Sequence, residues 1–274
     1  LGKTFGFSAL HIASLISDEI ELNTEEQKVF QCPLGNTQID FRALLHQLIS
    51  SELDADRMDY LRRDNLFSGV SYGQFDFDWI LANITAHIHN NRCYLTLGHR
   101  AIYAFEDFLI SRYHMFLMVY FHHKAVIFDE MLAQYFRTNE GEYSLPSDIE
   151  EYQRFDDAHL LEHLTRSQND WAKRVNKRNA YRMLIELHSG IPAKGVDHNK
   201  EKRPLKEITA LMEKAGLHFI ESTSTSELSK YFKKPADPIF VRYDNGFHEP
   251  NYYPLSDCTT VFERYPEKRS ISRI

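Results

Sequence analysis

Apolar positions recur at mixed spacings of three and four over residues 8–20 and 40–51, the period of amphipathic helices. Between them, "CPLGNT" at 32–37 reads as a loop by its Pro, Gly and Asn. Asp54 stands where an N-cap would and Gly69 where a helix would stop, which predicts a helix over about 55–66. "FDFDWILANI" starts a further element at 75. "ITAHIHNNRCYLTLG", residues 84–98, alternates on both sides of Asn90-Asn91 and predicts a hairpin closed by Gly98. Residues 100–137 contain no Gly or Pro and are apolar all round in the middle, which predicts one long buried helix.

Short polar helices are expected at 147–153, 157–166 and 168–178. From Ser189 the pattern changes: "SGIPAKGVDHNKEKRP" reads as a loop or linker. After it come a helix at 204–215, a strand-like "HFIEST", a helix at 226–233, a strand-like "PIFVRYD" and an irregular to strand-like end. The expected architecture is mainly α: a helical body over 1–189 and a small α+β lobe over 190–274, with no internal repeat.

Composition narrows the function classes. The 274 residues are 43% apolar and 13% aromatic, enough for sizeable cores. A formal charge of −7 argues against a generic nucleic-acid binder. Cys32, Cys93 and Cys258 lie far apart without a CxxC spacing, the reading being reduced thiols in a cytoplasmic protein. The longest apolar run, Met115 to Phe121, falls well short of the roughly 20 residues of a membrane span.

The densest chemistry lies in "SSELDADRMDYLRRD", residues 50–64. On a helix, Asp56, Tyr60 and Asp64 fan across about 80° of one face, Arg57 lies nearly in line with Asp64, and Met58 and Leu61 point away from them. Carboxylate, phenol and guanidinium on one face suit a metal-bound phosphate ester. The same spacing fits an ordinary solvated helix, with Asp59 and Arg63 as an i,i+4 pair.

"LDADRMDYLRRD" followed by "SGVSYG" resembles the C-terminal metal-ligand motif of the HD-domain phosphohydrolases, nearest the deoxynucleoside triphosphate triphosphohydrolase (dGTPase-like) branch. "SRYHMFLMVYFHHK" is similar to that family's long helix, in which an Arg precedes a Tyr by eight residues. The resemblance implies an HD-type helical bundle. It makes Asp56 a ligand of a divalent metal ion (Mg, Mn, Fe, Ni or Zn, which the sequence does not distinguish) and Arg57 and Arg112 contacts to phosphate. It places Tyr60 against the deoxyribose, Asp64 at the sugar 3′-hydroxyl, Tyr120 at the edge of the sugar pocket and His122 just beyond it. The activity implied is attack of water on the α-phosphorus of a deoxynucleoside triphosphate, releasing intact triphosphate. The partners implied are that substrate, a regulatory nucleotide at a subunit interface, and further copies of the chain.

The family's first His and its adjacent His-Asp pair have no match: none of the 14 histidines precedes an Asp, and only His11 and His46 lie upstream of Asp56. The resemblance therefore implies that the remaining metal ligands, and the catalytic His, belong to a preceding part of a longer enzyme, and that this chain alone is inactive. Two other readings stay open: an HD phosphohydrolase acting on another nucleotide phosphate, and a non-catalytic nucleotide-binding regulator. His87 and His89 share a strand face near Cys93, a conceivable zinc group without a fourth ligand. "WAKRVNKRNAYR" and "KGVDHNKEKRPLKE", the latter with Lys200, Lys202 and Arg203, are basic patches that fit solvated loops or a phosphate site.

Overall fold

The computed structural model describes residues 6–17, 19–138, 142–189, 198–229, 237–264 and 269–274, without the side chains of 189, 198–204 and 263–264. The fold is mainly α with strands concentrated in two sheets, and its C-terminal part mixes helices and strands. It divides into two compact units, one of residues 1–115 with 227–266 and one of 116–226 with 267–274.

In the first unit, Asp54 caps a helix over Ala55–Ser68, and Gly69 ends it at φ 68°, a left-handed conformation that costs glycine little. Met58 and Leu61 face inward and this helix packs on Ile102–Met115, whose Phe105, Phe108, Leu109 and Met115 are fully buried. The hairpin forms as expected, with strands Ile84–His89 and Arg92–Gly98 and positive φ at Asn90 and Asn91. The Arg92–Gly98 strand organises the sheet. Besides its hairpin partner it pairs in parallel with Thr37–Asp40 at its start and with Phe240–Tyr243 at its end. The helix Arg42–Ile49 lies against it, and Gln47, fully buried, accepts from Leu95 N–H at 2.7 Å and donates to Asp237 O at 3.1 Å. A buried amide satisfied on both sides is a strong positional constraint.

Gly73 marks a close approach. A Cβ there would lie 2.8 Å from Leu61 O and 2.9 Å from Asn65 Cβ, while its N–H donates to Asn65 Oδ1 at 3.1 Å. Gly73→Ala is therefore expected to lower the unfolding free energy by about 1–3 kcal/mol. Urea denaturation checks this, since backbone oxygen cannot move aside as a side-chain tip can.

Two local expectations are corrected. "CPLGNT" is not loop throughout: Gln31–Leu34 and Thr37–Asp40 form a hairpin turning at Gly35, φ 61°. Its first strand is wholly exposed, so it lacks the alternation that marks a half-buried strand. Residues 100–137 do not form one helix. After Met115 the chain makes a π-turn over Phe116–Tyr120, with Phe121 N–H donating to Phe116 O at 2.9 Å, and a new helix runs over His123–Thr138. His122 Nδ1 accepts from Lys124 N–H at 3.3 Å and so caps the second helix.

The second unit holds that helix and short ones at Ile149–Tyr152, Asp157–Arg166 and Asp170–Asn176, close to the expected spans. Tyr135, Leu164 and Ala172 form its buried cluster, and Tyr135 Oη is 2.7 Å from His163 Nε2. A three-stranded antiparallel sheet places Arg269–Arg273 between Glu186–Ser189 and Ser222–Ser226. The helix expected at 204–215 starts earlier and runs over His198–Lys214. The rest of the expected linker, 190–197, lies outside the described residues, as do 230–233 of the helix expected at 226–233; residues 226–229 are not helical.

Candidate functional site

The site is built around the turn that leads into the Ala55–Ser68 helix. Asp54 takes an extended backbone and its Oδ1 accepts from Arg57 N–H at 2.7 Å, while Oδ2 accepts from Ser51 N–H at 3.2 Å. Burial raises the Asp54 pKa, and the N–H bond and charge of Arg57 only partly offset the rise. This cap orients the first helical turn, on which Asp56 is exposed and Arg57 is folded back toward the cap.

Two residues before the cap, Glu52 is 5% exposed. Its Oε2 lies 3.2 Å from Arg57 Nη1 and 3.2 Å from Arg112 Nη1. Arg112, on the neighbouring helix, is buried, and its Nη2 donates to Leu228 O at 2.6 Å. One carboxylate therefore gathers two guanidinium groups from separate segments. Tyr60 is half-buried beside them: burial pushes its phenol pKa up, Arg112 and then Arg57 pull it down, and Asp54 and Asp56 act on it in the raising direction. Asp64, one turn on, is half-buried.

Four of the residues singled out in the sequence, Asp56, Arg57, Tyr60 and Arg112, thus share one electrostatic neighbourhood. Glu52 was missed. The charged stretch contains it, but only the fold brings Arg112 to it. Glu106, on the same helix as Arg112, accepts instead from the Thr259 hydroxyl. A groove of about 820 Å³ runs along the other side of the helix, lined by Ala55, Met58, Asp59, Arg62, Phe75 and Phe77 rather than by these residues. Tyr120 and His122 belong to the second unit. There Tyr120 closes the π-turn with its ring 5.0 Å from Phe116, and His122 is exposed with its ring 4.3 Å from His123.

The conceivable zinc group dissolves in the sheet register. Cys93 pairs with Ile88, so it faces away from His87 and His89, and it is buried. His87 stacks on Tyr252 at 3.6 Å, and burial lowers its pKa. The basic stretch 171–182 is tied in part to its own unit, Arg174 pairing with Asp170 at 2.8 Å and lying over Tyr181. The side chains of Lys200, Lys202 and Arg203 lie outside the described residues.

Residues 79–218 match the family model described as "HD associated region". The chain belongs to this family. As an HD-associated chain it falls within the HD-domain superfamily. It is 34% identical over 139 residues to an uncharacterized protein of Methanocaldococcus jannaschii, covering 51% of this chain and 30% of that one. It is 28% identical over 231 residues to the uncharacterized protein YwfO of Bacillus subtilis, covering 73% of this chain and 50% of that one. The chain thus spans half or less of the length of these relatives. Among solved structures, a hypothetical protein of Aquifex aeolicus superimposes with TM-score 0.63 at 24% identity, over 85% of this chain and 57% of that one. A phosphohydrolase of Bacteroides thetaiotaomicron does so with TM-score 0.55 at 18% identity, over 84% and 63%. At these identities the likeness is one of fold.

HD phosphohydrolases are in general metal-dependent. Among the described residues no group of three or more His, Cys, Asp and Glu side chains is placed to hold a metal ion. A hard cation takes about six oxygen ligands, so the exposed carboxylate of Asp56 does not fit as a site by itself. No helix among the described residues is long and apolar enough to cross a membrane.

Proposed function

We propose that this chain supplies the phosphate-facing and sugar-facing part of an HD phosphohydrolase that cleaves deoxynucleoside triphosphates into deoxynucleoside and triphosphate. The observation that supports it best is the pair of guanidinium groups, Arg57 and Arg112, converging within 3.2 Å of one buried oxygen beside Tyr60. Two adjacent arginines suit a chain of phosphates better than a single anion, because each can present two parallel N–H groups to a different phosphate. The phosphohydrolase fold neighbour and the HD-associated family agree with the reaction class. In this reading Asp56 is one ligand of a divalent cation whose other ligands come from outside the described residues. Arg57 and Arg112 balance charge on the phosphates, and Tyr60 with Asp64 tests the sugar.

The test is product analysis with the natural full-length protein and the four deoxynucleoside triphosphates. Intact triphosphate and deoxynucleoside are expected in equal amounts. Pyrophosphate or orthophosphate as the first product overturns the proposed cleavage position and favours another nucleotide phosphatase. A second expectation concerns the sugar. Tyr60→Ala opens space at C2′, so the preference for deoxyribo- over ribonucleotides falls by about tenfold or more. The ratio of the two kcat/KM values measures it, and an unchanged ratio removes Tyr60 from the sugar contact.

A further inference from the structure

The contact between Glu52 and the two arginines is a charge contact without aligned hydrogen bonds. Glu52 Oε2 and Arg57 Nη1 are both buried, and among the described residues neither has a hydrogen-bond partner, although Oε2 lies 3.2 Å from each guanidinium. At that distance the angles decide, and here they fall outside hydrogen-bonding geometry. Each arginine also has a contact other than Glu52. Arg112 Nη2 is fastened to Leu228 O at 2.6 Å. Arg57 Nε lies 3.4 Å from Asp54 Oδ2, and Asp54 is itself fixed as the helix cap. Removing the Glu52 charge therefore leaves each arginine with a contact of its own.

From this we infer that Glu52 is an internal counterion: in the free protein its carboxylate neutralises the Arg57–Arg112 pair, and an incoming phosphate has to win the arginines from it. The inference rests on the reading of Arg57 and Arg112 as phosphate contacts. It goes beyond that reading by assigning Glu52 a role that opposes binding. A phosphate can win because it carries more than one negative charge and accepts in bidentate geometry, whereas Glu52 offers one charge at poor angles. The device has two consequences. It keeps two guanidinium groups, one of them buried, compatible with the fold, and it lowers the affinity of the pair for weakly charged anions.

The sign of the effect separates this role from a structural one. Loss of a merely structural buried residue weakens binding or leaves it alone; loss of a counterion strengthens it. The experiment is calorimetric titration of the natural full-length protein with inorganic triphosphate. Glu52→Gln keeps the shape and removes the charge, and it is expected to tighten triphosphate binding about tenfold. Asp59→Asn, an exposed carboxylate on the same helix paired with Arg63, is expected to change nothing. Arg57→Ala and Arg112→Lys are expected to weaken binding. If both arginine variants weaken binding while Glu52→Gln equals the parent or binds less tightly, the counterion role is overturned and the phosphate site stands. If neither arginine variant affects triphosphate, the phosphate reading itself falls, and the counterion role with it. Should Glu52→Gln not fold, Glu52→Asp, which withdraws the carboxylate by one methylene, is read with the same signs and a smaller gain.

Discussion

Replacing Arg112 with alanine is expected to lower the unfolding free energy by about 3 kcal/mol, one of the two largest effects a single substitution at this site should have. The Arg112 side chain is 10% exposed and that of Glu52 5%, so the pair sits where solvent screens little. Removing the guanidinium leaves the Glu52 carboxylate with Arg57 as its ion-pair partner among the described residues and strips Leu228 O of its 2.6 Å donor. Buried charges that lose a partner are costly because the desolvation penalty stays after the attraction has gone. The same reasoning sets the sign of a control. Glu52→Leu combined with Arg112→Met removes both charges, and about half of the loss is expected to return. Chemical denaturation of the parent and the two variants checks this. A double variant no more stable than Arg112→Ala shows that packing rather than unpaired charge carries the effect.

The elements that the sequence disclosed are those whose causes are local. The cap at Asp54 and the stop at Gly69 depend on side chains within a few residues of the backbone they satisfy, and both stand where expected. The turn at Asn90-Asn91 works the same way, because both residues tolerate positive φ. What was not legible depends on distant chain. Nothing between Arg100 and Arg137 breaks a helix by composition, yet a π-turn over Phe116–Tyr120 interrupts it. The exposed strand Gln31–Leu34 owes its existence to its pairing with Thr37–Asp40, not to burial. The position of Cys93 relative to His87 and His89 was decided by the register of one hairpin, since a shift by one residue would have turned it to the other face.

The site divides along the same line. Arg57 and Tyr60 could be placed on one helix face by spacing, and they do share a neighbourhood. That Arg112 joins them was implied only by family resemblance, and the geometry now gives it a physical basis in Glu52. Glu52 itself could not be distinguished from other acids in "SSELDADRMDYLRRD", because an acid's importance depends on what lies opposite. Burial separates it from Asp56 and Asp59, both of which are exposed.

Arg57 should show the converse of Arg112: a small effect on stability and a large one on reaction. Its side chain is 28% exposed, and Arg112 remains to neutralise Glu52 when it is removed, so Arg57→Ala is expected to cost less than about 1 kcal/mol of stability. In the natural full-length protein the same substitution is expected to lower kcat/KM for deoxynucleoside triphosphate hydrolysis by about 100-fold, the usual loss when a preorganised donor to a developing negative charge is deleted. Arg57→Lys separates charge from geometry. It restores a positive charge but not two parallel N–H groups, so an intermediate rate is expected. The split between kcat and KM then locates the contact. A loss mostly in kcat places Arg57 at oxygen atoms whose charge grows in the transition state, whereas a loss mostly in KM places it on phosphates that stay unchanged through the reaction. A full-length Arg57→Ala enzyme with parental kcat/KM would separate Arg57 from the phosphates altogether and leave it as a surface partner of Glu52 and Asp54.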